Sequence, residues 1–137
     1  MAEHPRIICR TDELTDGGRA VRFTLPIGEP AQELACFVIA YDGIVYGYVN
    51  SCPHRGTELD WQPGEVFEET GLYLMCATHG AVFEPDSGLC VGGPCQGARL
   101  RPLAITVSGG DVVLAATVSI YTSSNVSHES GLPIKIR

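Results

Sequence analysis

Four side chains in two short stretches have the types and spacing to hold a metal. Residues 50–57 read N-S-C-P-H-R-G-T and residues 75–81 read M-C-A-T-H-G-A, pairing Cys52 with His54 and Cys76 with His79. Thiolate and imidazole are ligands for iron and for zinc, provided that rigid loops bring them together. Cys52 and His54 stand one residue apart, so on an extended or turning backbone both can point the same way. Cys76 and His79 can converge across a single tight turn. Pro53 stiffens the first tip, and Gly56 and Gly80 let the backbone approach an inorganic group closely. Two matching tips, each delivering one sulfur and one nitrogen, make a four-ligand cage. A structural zinc site from the same four residues is a rival reading, although zinc sites more often pair Cys with Cys and His with His along the chain. Buried cysteines with unrelated surface histidines are another.

The elements that must position these tips read as strands. In residues 32–50, Q-E-L-A-C-F-V-I-A-Y-D-G-I-V-Y-G-Y-V-N, two runs rich in Val, Ile, Tyr and Phe flank Asp42-Gly43. That pair favours a tight hairpin because both positions tolerate positive φ. Upstream, R-I-I-C-R and A-V-R-F-T-L read as strands separated by the polar T-D-E-L-T-D-G-G. Downstream, L-Y-L-M and A-V-F-E are short strands on either side of Cys76–Gly80, and P-D-S-G makes a turn. The stretch L-A-I-T-V-S-G-G-D-V-V-L reads as a last hairpin. No window of useful length has helical periodicity, so the expected fold is all-β.

The chain of 137 residues fits one domain that can bury a real core. Its 16 glycines and 9 prolines favour turns and short strands over long helices. A net charge of −7 argues against nucleic acid and anionic membrane surfaces as partners and suits docking on a basic one. There is neither a bilayer-spanning apolar run nor a signal-peptide core, so the expected location is the cytoplasm. Six cysteines in that setting are expected to be metal ligands or reduced thiols rather than disulfides. Residues 119–137 are Ser-rich and polar until an apolar end. They are expected to form a C-terminal extension tied down on its own domain or against a second copy, which makes self-association one expected outcome.

C-P-H-R-G-T followed by C-A-T-H-G closely resembles the Cys-x-His and Cys-x-x-His signature of the Rieske [2Fe-2S] family. The resemblance runs over about residues 5–118 and includes V-F-E-P-D-S-G-L-C-V-G-G-P-C, similar to the turn and Gly-Pro loop that cover the cluster in that family. It implies an antiparallel β-sandwich or partial barrel over residues 1–118, with a cluster-binding subdomain of two loops at about 51–98. It also implies one [2Fe-2S] cluster per chain, held by Cys52 and Cys76 on the inner iron and by His54 and His79 on the outer iron. Replacing two thiolates by neutral imidazoles makes adding an electron easier, which places Rieske potentials at roughly −150 to +300 mV against about −400 mV for plant-type ferredoxins. High-potential members carry a serine two positions after the second histidine and a tyrosine two further on, and their hydroxyls donate toward sulfur. Ala81 and Phe83 stand there in this chain. Thr57 and Thr78 occupy the positions of the cysteines that bridge the two loops in those members. The resemblance therefore implies a potential at the low end of the range.

The function so implied is one-electron transfer by a soluble ferredoxin between a reductase and an oxygenase, without enzymatic activity of its own. A small subunit of a larger redox enzyme, such as an assimilatory nitrite reductase, is the alternative. A complete oxygenase would need a second iron site, and His4 and His128, the remaining histidines, lie at opposite ends of the chain. No basic patch or DNA-binding motif supports a sensor. Cys90 and Cys95 bracket V-G-G-P and are expected to be reduced thiols packed under that loop, the other reading being that they tune the cluster or form a small disulfide beside it. Cys9 and Cys36 are expected in the core, and Trp61 either in the core or as a docking anchor.

Overall fold

The computed structural model describes residues 6–27, 30, 32–53, 56–60, 62–78 and 80–115. The expectations for His4, His54, Trp61, His79, His128 and the extension at 119–137 concern positions outside the described residues. The described residues form nine strands and one 3-10 turn, Thr11–Glu13, and every strand pair is antiparallel. The strands are β1 (Arg6–Arg10), β2 (Val21–Ile27), β3 (Gln32–Tyr41), β4 (Ile44–Val49), β5 (Leu74–Met75), β6 (Val82–Phe83), β7 (Cys90–Gly92), β8 (Ile105–Ser108) and β9 (Asp111–Leu114). They make three sheets of three, in the orders β1-β9-β8, β2-β3-β4 and β5-β6-β7.

Turn chemistry sets the hairpins. Asp42 and Gly43 take φ of 54° and 79°, and Gly109 and Gly110 take 60° and 86°. Both pairs have the double positive φ whose twist matches the flanking strands. β1 bypasses its sequence neighbour β2 and pairs with β9, from Arg6 opposite Leu114 to Arg10 opposite Asp111. The short strand β7 lies within the stretch read from sequence as turn and loop. It pairs Cys90 with Phe83 and Gly92 with Val82.

β3 divides the interior. Residues Cys36–Ile39 are all buried, which requires that both faces of this strand be covered. Cys36 and Val38 point into a core with Leu25, Val45, Val49, Cys9, Ile105, Val112 and Leu114, so the sheets β2-β3-β4 and β1-β9-β8 enclose it between them. Phe37 and Ile39 point the other way, into a second core with Tyr48, Leu59, Leu74, Phe83, Leu100 and four of the cysteines. Residues 101–103 run beside β4, with Val49 N–H donating to Arg101 O and Leu103 N–H to Gly47 O, both at 2.9 Å. A Cβ on Gly47 would lie 2.6 Å from Ile105 Cγ1, so glycine is what lets β4 approach β8 this closely. Cys9 and Cys36 are core residues, and burial pushes their thiols up to about 11 and about 12.

Candidate metal centre

The first tip leaves the end of β4, and the second joins β5 to β6. Both close with one and the same backbone turn. Cys52 N–H donates to Thr57 O at 2.7 Å, and Gly56 N–H returns to Cys52 O at 2.6 Å. In the second tip Cys76 N–H donates to Ala81 O and Gly80 N–H to Cys76 O, each at 2.9 Å. The glycines take φ of 77° and 75°, a left-handed conformation that side chains with a Cβ rarely adopt. Glycine four positions after each cysteine is therefore a requirement of the turn itself. One further bond joins the tips: Ala77 N–H donates to Leu59 O at 2.9 Å.

Below the first tip lies a buried polar network that the sequence did not signal. Asn50 Oδ1 accepts from Leu59 N–H at 2.7 Å, and Asn50 Nδ2 donates to Asp60 Oδ1 at 3.0 Å. Asp60 Oδ2 accepts from Gly64 N–H at 2.8 Å and meets Arg22 Nε at 3.3 Å. The Asp60 side chain has no exposure to solvent, and Asn50 is buried with it. A buried carboxylate is tolerable only when its lone pairs are occupied and its charge is met, and here β2 supplies the charge through Arg22. The nearest sequence signal was Asp60 standing four residues before Gly64, the donor it accepts from.

A third loop closes over the second tip. Cys90 N–H donates to Ala98 O at 2.8 Å, Gly97 N–H to Cys90 O at 3.0 Å and Ala98 N–H to Cys95 O at 2.9 Å, which fixes the turn from Cys90 to Ala98. Within it Gly93 has φ of 93°, and a Cβ there would lie 2.8 Å from the Cα of Ala81. V-G-G-P thus rests directly on the second tip. Tyr48, its hydroxyl donating to Pro85 O at 2.7 Å, holds the preceding turn to β4. Burial raises the Tyr48 hydroxyl well above the usual phenol range, so it stays a donor at neutral pH.

Cys52 and Cys76 are 2% and 1% exposed and lie in the same core, with Ala81, Phe83, Cys90 and Cys95. Among the described residues no three ligating side chains form a metal cage, and the two histidines of the expected set lie outside those residues. The donor chemistry nevertheless fits an iron–sulfur cluster. Two thiols stand on twin turns in an apolar envelope, which excludes water and competing charge from sulfur. Ala81 and Phe83 are both fully buried and bring no hydroxyl to that envelope. Among the described residues there is no disulfide. Cys90 and Cys95 are indeed thiols packed under the loop, their sulfurs 3.1 Å apart. Burial first, then hydrogen bonding with Cys90, pushes the Cys95 thiol up to about 12, so it keeps its proton. Thr57 and Thr78 lie exposed on the two tips.

A family model described as Rieske [2Fe-2S] domain matches residues 4–121. Comparison with curated proteins gives no match. Among solved structures, the ferredoxin of Sphingomonas yanoikuyae B1 is similar at 22% identity, with 81% of this chain and 97% of that one covered and a TM-score of 0.59. The ferredoxin of carbazole 1,9a-dioxygenase from Nocardioides aromaticivorans IC177 is similar at 21% identity, covering 83% and 99% with a TM-score of 0.60. A chain of the reduced complex between oxygenase and ferredoxin in carbazole 1,9a-dioxygenase matches at 19% identity, covering 83% of this chain and 28% of that one, with a TM-score of 0.62. At these identities the likenesses show a shared fold.

Proposed function

Because the chain belongs to the Rieske [2Fe-2S] domain family, we propose that it is a one-electron carrier whose cluster is held by Cys52, His54, Cys76 and His79. The observation that carries this reading is the pair of turns with one hydrogen-bond pattern that bury Cys52 and Cys76 in one apolar envelope. Bound there, a [2Fe-2S] cluster supplies a one-electron couple. The chain's own residues hold the thiolates, keep water from sulfur and set the polarity around it. We read it as a transfer protein without a reaction of its own.

Ala81 and Phe83 give the sulfurs no hydroxyl donor, which favours the low end of the Rieske range. The acceptor we propose is an oxygenase and the donor a reductase. Support comes from the likeness to two ferredoxins, one of them the ferredoxin of carbazole 1,9a-dioxygenase. A net charge of −7 steers such an acidic carrier toward basic docking surfaces at a rate that falls with salt. We place the protein in the cytoplasm, where six thiols without a disulfide are the ordinary state.

Electron paramagnetic resonance of the dithionite-reduced protein, together with iron, zinc and acid-labile sulfide analysis, tests the reading. The expected result is a rhombic signal whose mean g-value lies well below that of an all-cysteine cluster, with iron equal to sulfide. Zinc in freshly isolated protein, with no such signal after anaerobic iron and sulfide reconstitution, would overturn it. Redox titration would then place the midpoint, and a value in the middle or high part of the family range would overturn the low-potential assignment.

A further inference from the structure

The charge of this protein is not spread evenly. Between Arg55 and Arg99 the sequence has seven Asp or Glu and neither Lys nor Arg. The rest of the chain balances at nine acidic and nine basic residues, so the whole net charge of −7 arises in the stretch that carries the second tip and the sheet β5-β6-β7. Three of those seven carboxylates meet arginine, Glu58 and Asp60 at Arg22 and Glu65 at Arg19. Glu69 is exposed and lines a cleft with Asp16 and Asp42, and among the described residues no cation lines it.

Apolar side chains stand beside these charges. Leu72 lines the same cleft at 53% exposure, and Tyr73 and Met75 follow at 41% and 36%. Burial alternates from Tyr73 to Ala77, so Tyr73, Met75 and Ala77 share the outer side of the segment whose inner side carries Leu74 and Cys76. Val82 stands opposite Met75 across the β5-β6 pair. Four residues of extended chain, about 13 Å, lead from Leu72 to Cys76. One protein–protein interface of about 800 Å² a side spans both. The loop that presents Leu72 and Tyr73 is fixed. Glu68 N–H donates to Tyr73 O at 3.0 Å and Gly71 N–H to Glu68 O at 2.9 Å. The Glu68 carboxylate accepts from the N–H groups of Thr70 at 3.0 Å and of Leu72 and Tyr73 at 3.3 Å. A carboxylate spent on holding leucine and tyrosine out toward water is preorganisation for contact, because the loop has little order left to gain on binding.

We infer that residues 68–73 and the outer side of β5, continuous with the second tip, are the docking surface for a redox protein whose contact face is apolar at its centre and carries Lys or Arg at its rim. Leu72, Tyr73 and Met75 meet the apolar centre, and Asp16, Asp42 and Glu69 meet the basic rim. A second copy of this chain is the wrong occupant, since it would bring the same excess of negative charge to the contact. This inference rests on the reading of the chain as an electron carrier.

Cytochrome c, a basic haem protein, is the probe. The rate at which pre-reduced holo-protein reduces ferric cytochrome c is measured by stopped flow at low and high salt, with iron and sulfide analysis of each variant. Asn tolerates the positive φ at position 42, and Asp42→Asn and Glu69→Gln are each expected to lower the low-salt rate about threefold and to flatten its salt dependence. The double variant Leu72→Ser, Met75→Gln is expected to lower it about fivefold at both salt concentrations. Asp12→Asn and Val107→Ser, exposed positions in the 3-10 turn after β1 and in β8, are expected to stay near native. An unchanged rate in either the charge variants or the apolar variant overturns the proposal, as does an equal loss in Asp12→Asn. A holo-protein that sediments as a dimer and becomes monomeric in Leu72→Ser, Met75→Gln would assign the face to a second copy and overturn it too. Absence of a histidine-ligated centre from the native protein would locate the failure in the carrier reading. Carbodiimide cross-linking to cytochrome c still tests the surface in that case. Cross-links at Asp16, Asp42 or Glu69 are expected, and cross-links confined to other carboxylates overturn the proposal.

Discussion

The two tips are the same turn built on different foundations. Each has the cysteine N–H bonded five residues ahead and the glycine N–H bonded four residues back, with glycine φ values within a few degrees of each other. The first tip rests on buried side chains, Asn50 and Asp60 with Arg22 behind them. The second rests on backbone, between β5 and β6, with V-G-G-P pressed against it. One hydrogen-bond pattern thus has a polar clamp in the first tip and a sheet clamp in the second. The difference also extends into the turns. Position one after the cysteine is Pro53 in the first and Ala77 in the second, and only Ala77 has an N–H to give to Leu59. In the sequence, histidine follows two positions after Cys52 and three after Cys76.

Breaking either tip at its proposed ligand should have the largest effect. His79→Ala is expected to abolish the assembled centre or leave it severely labile, and His54→Ala to do the same. His128→Ala should leave the visible and paramagnetic spectra as they are. Equal effects from His79→Ala and His128→Ala would refute the ligand assignment.

The polar clamp should be the next most sensitive point. Asn50→Ala strands the Leu59 N–H and removes one donor from the buried Asp60 carboxylate, at about 3 kcal/mol in total. Denaturant unfolding of the reconstituted protein measures it. Cluster loss on mild heating should begin earlier than in native protein, since the network ties Asn50 to Leu59 and Asp60 on the two sides of the first tip. A cost below about 0.5 kcal/mol, the ordinary range for a surface change, would show that the first tip stands without it.

What the sequence revealed and what it hid divide along the same line. Hairpins are local, and Asp42-Gly43 and the Gly109-Gly110 pair announce them through the φ they require. The Cys–His spacing was visible because metal chemistry restricts residue types so severely. The pairing of β1 with β9 joins residues about a hundred positions apart and leaves no local mark, so R-I-I-C-R read only as an unassigned strand. β7 was hidden because three residues ending in Gly92, with Gly93 and Pro94 next, look like loop. Asn50 and Asp60 carry no local mark of their role, because Asn and Asp in a turn-rich stretch ordinarily face water. Only the fold shows that β2 brings Arg22 to them. The run A-C-F-V-I-A in β3 did carry a readable sign of burial on both faces, an unbroken apolar stretch in place of alternation.

The smallest effects belong to the exchange of Pro53 and Ala77, and they sharpen the comparison most. Because proline already occupies this position of the same turn in the first tip, its fixed φ near −65° is expected to suit the second. Ala77→Pro should therefore cost chiefly the bond to Leu59, whose carbonyl is left without that donor, at about 1 to 2 kcal/mol. Pro53→Ala loses no hydrogen bond and acts through the unfolded chain, which gains freedom, at about 0.5 kcal/mol. Denaturant midpoints at unchanged slope would separate the two effects. A cost for Ala77→Pro no larger than that for Pro53→Ala would mean that the bond between the tips contributes nothing. A cost above about 3 kcal/mol would mean that the second turn cannot accept proline, and that the two tips are less alike than their hydrogen bonds suggest.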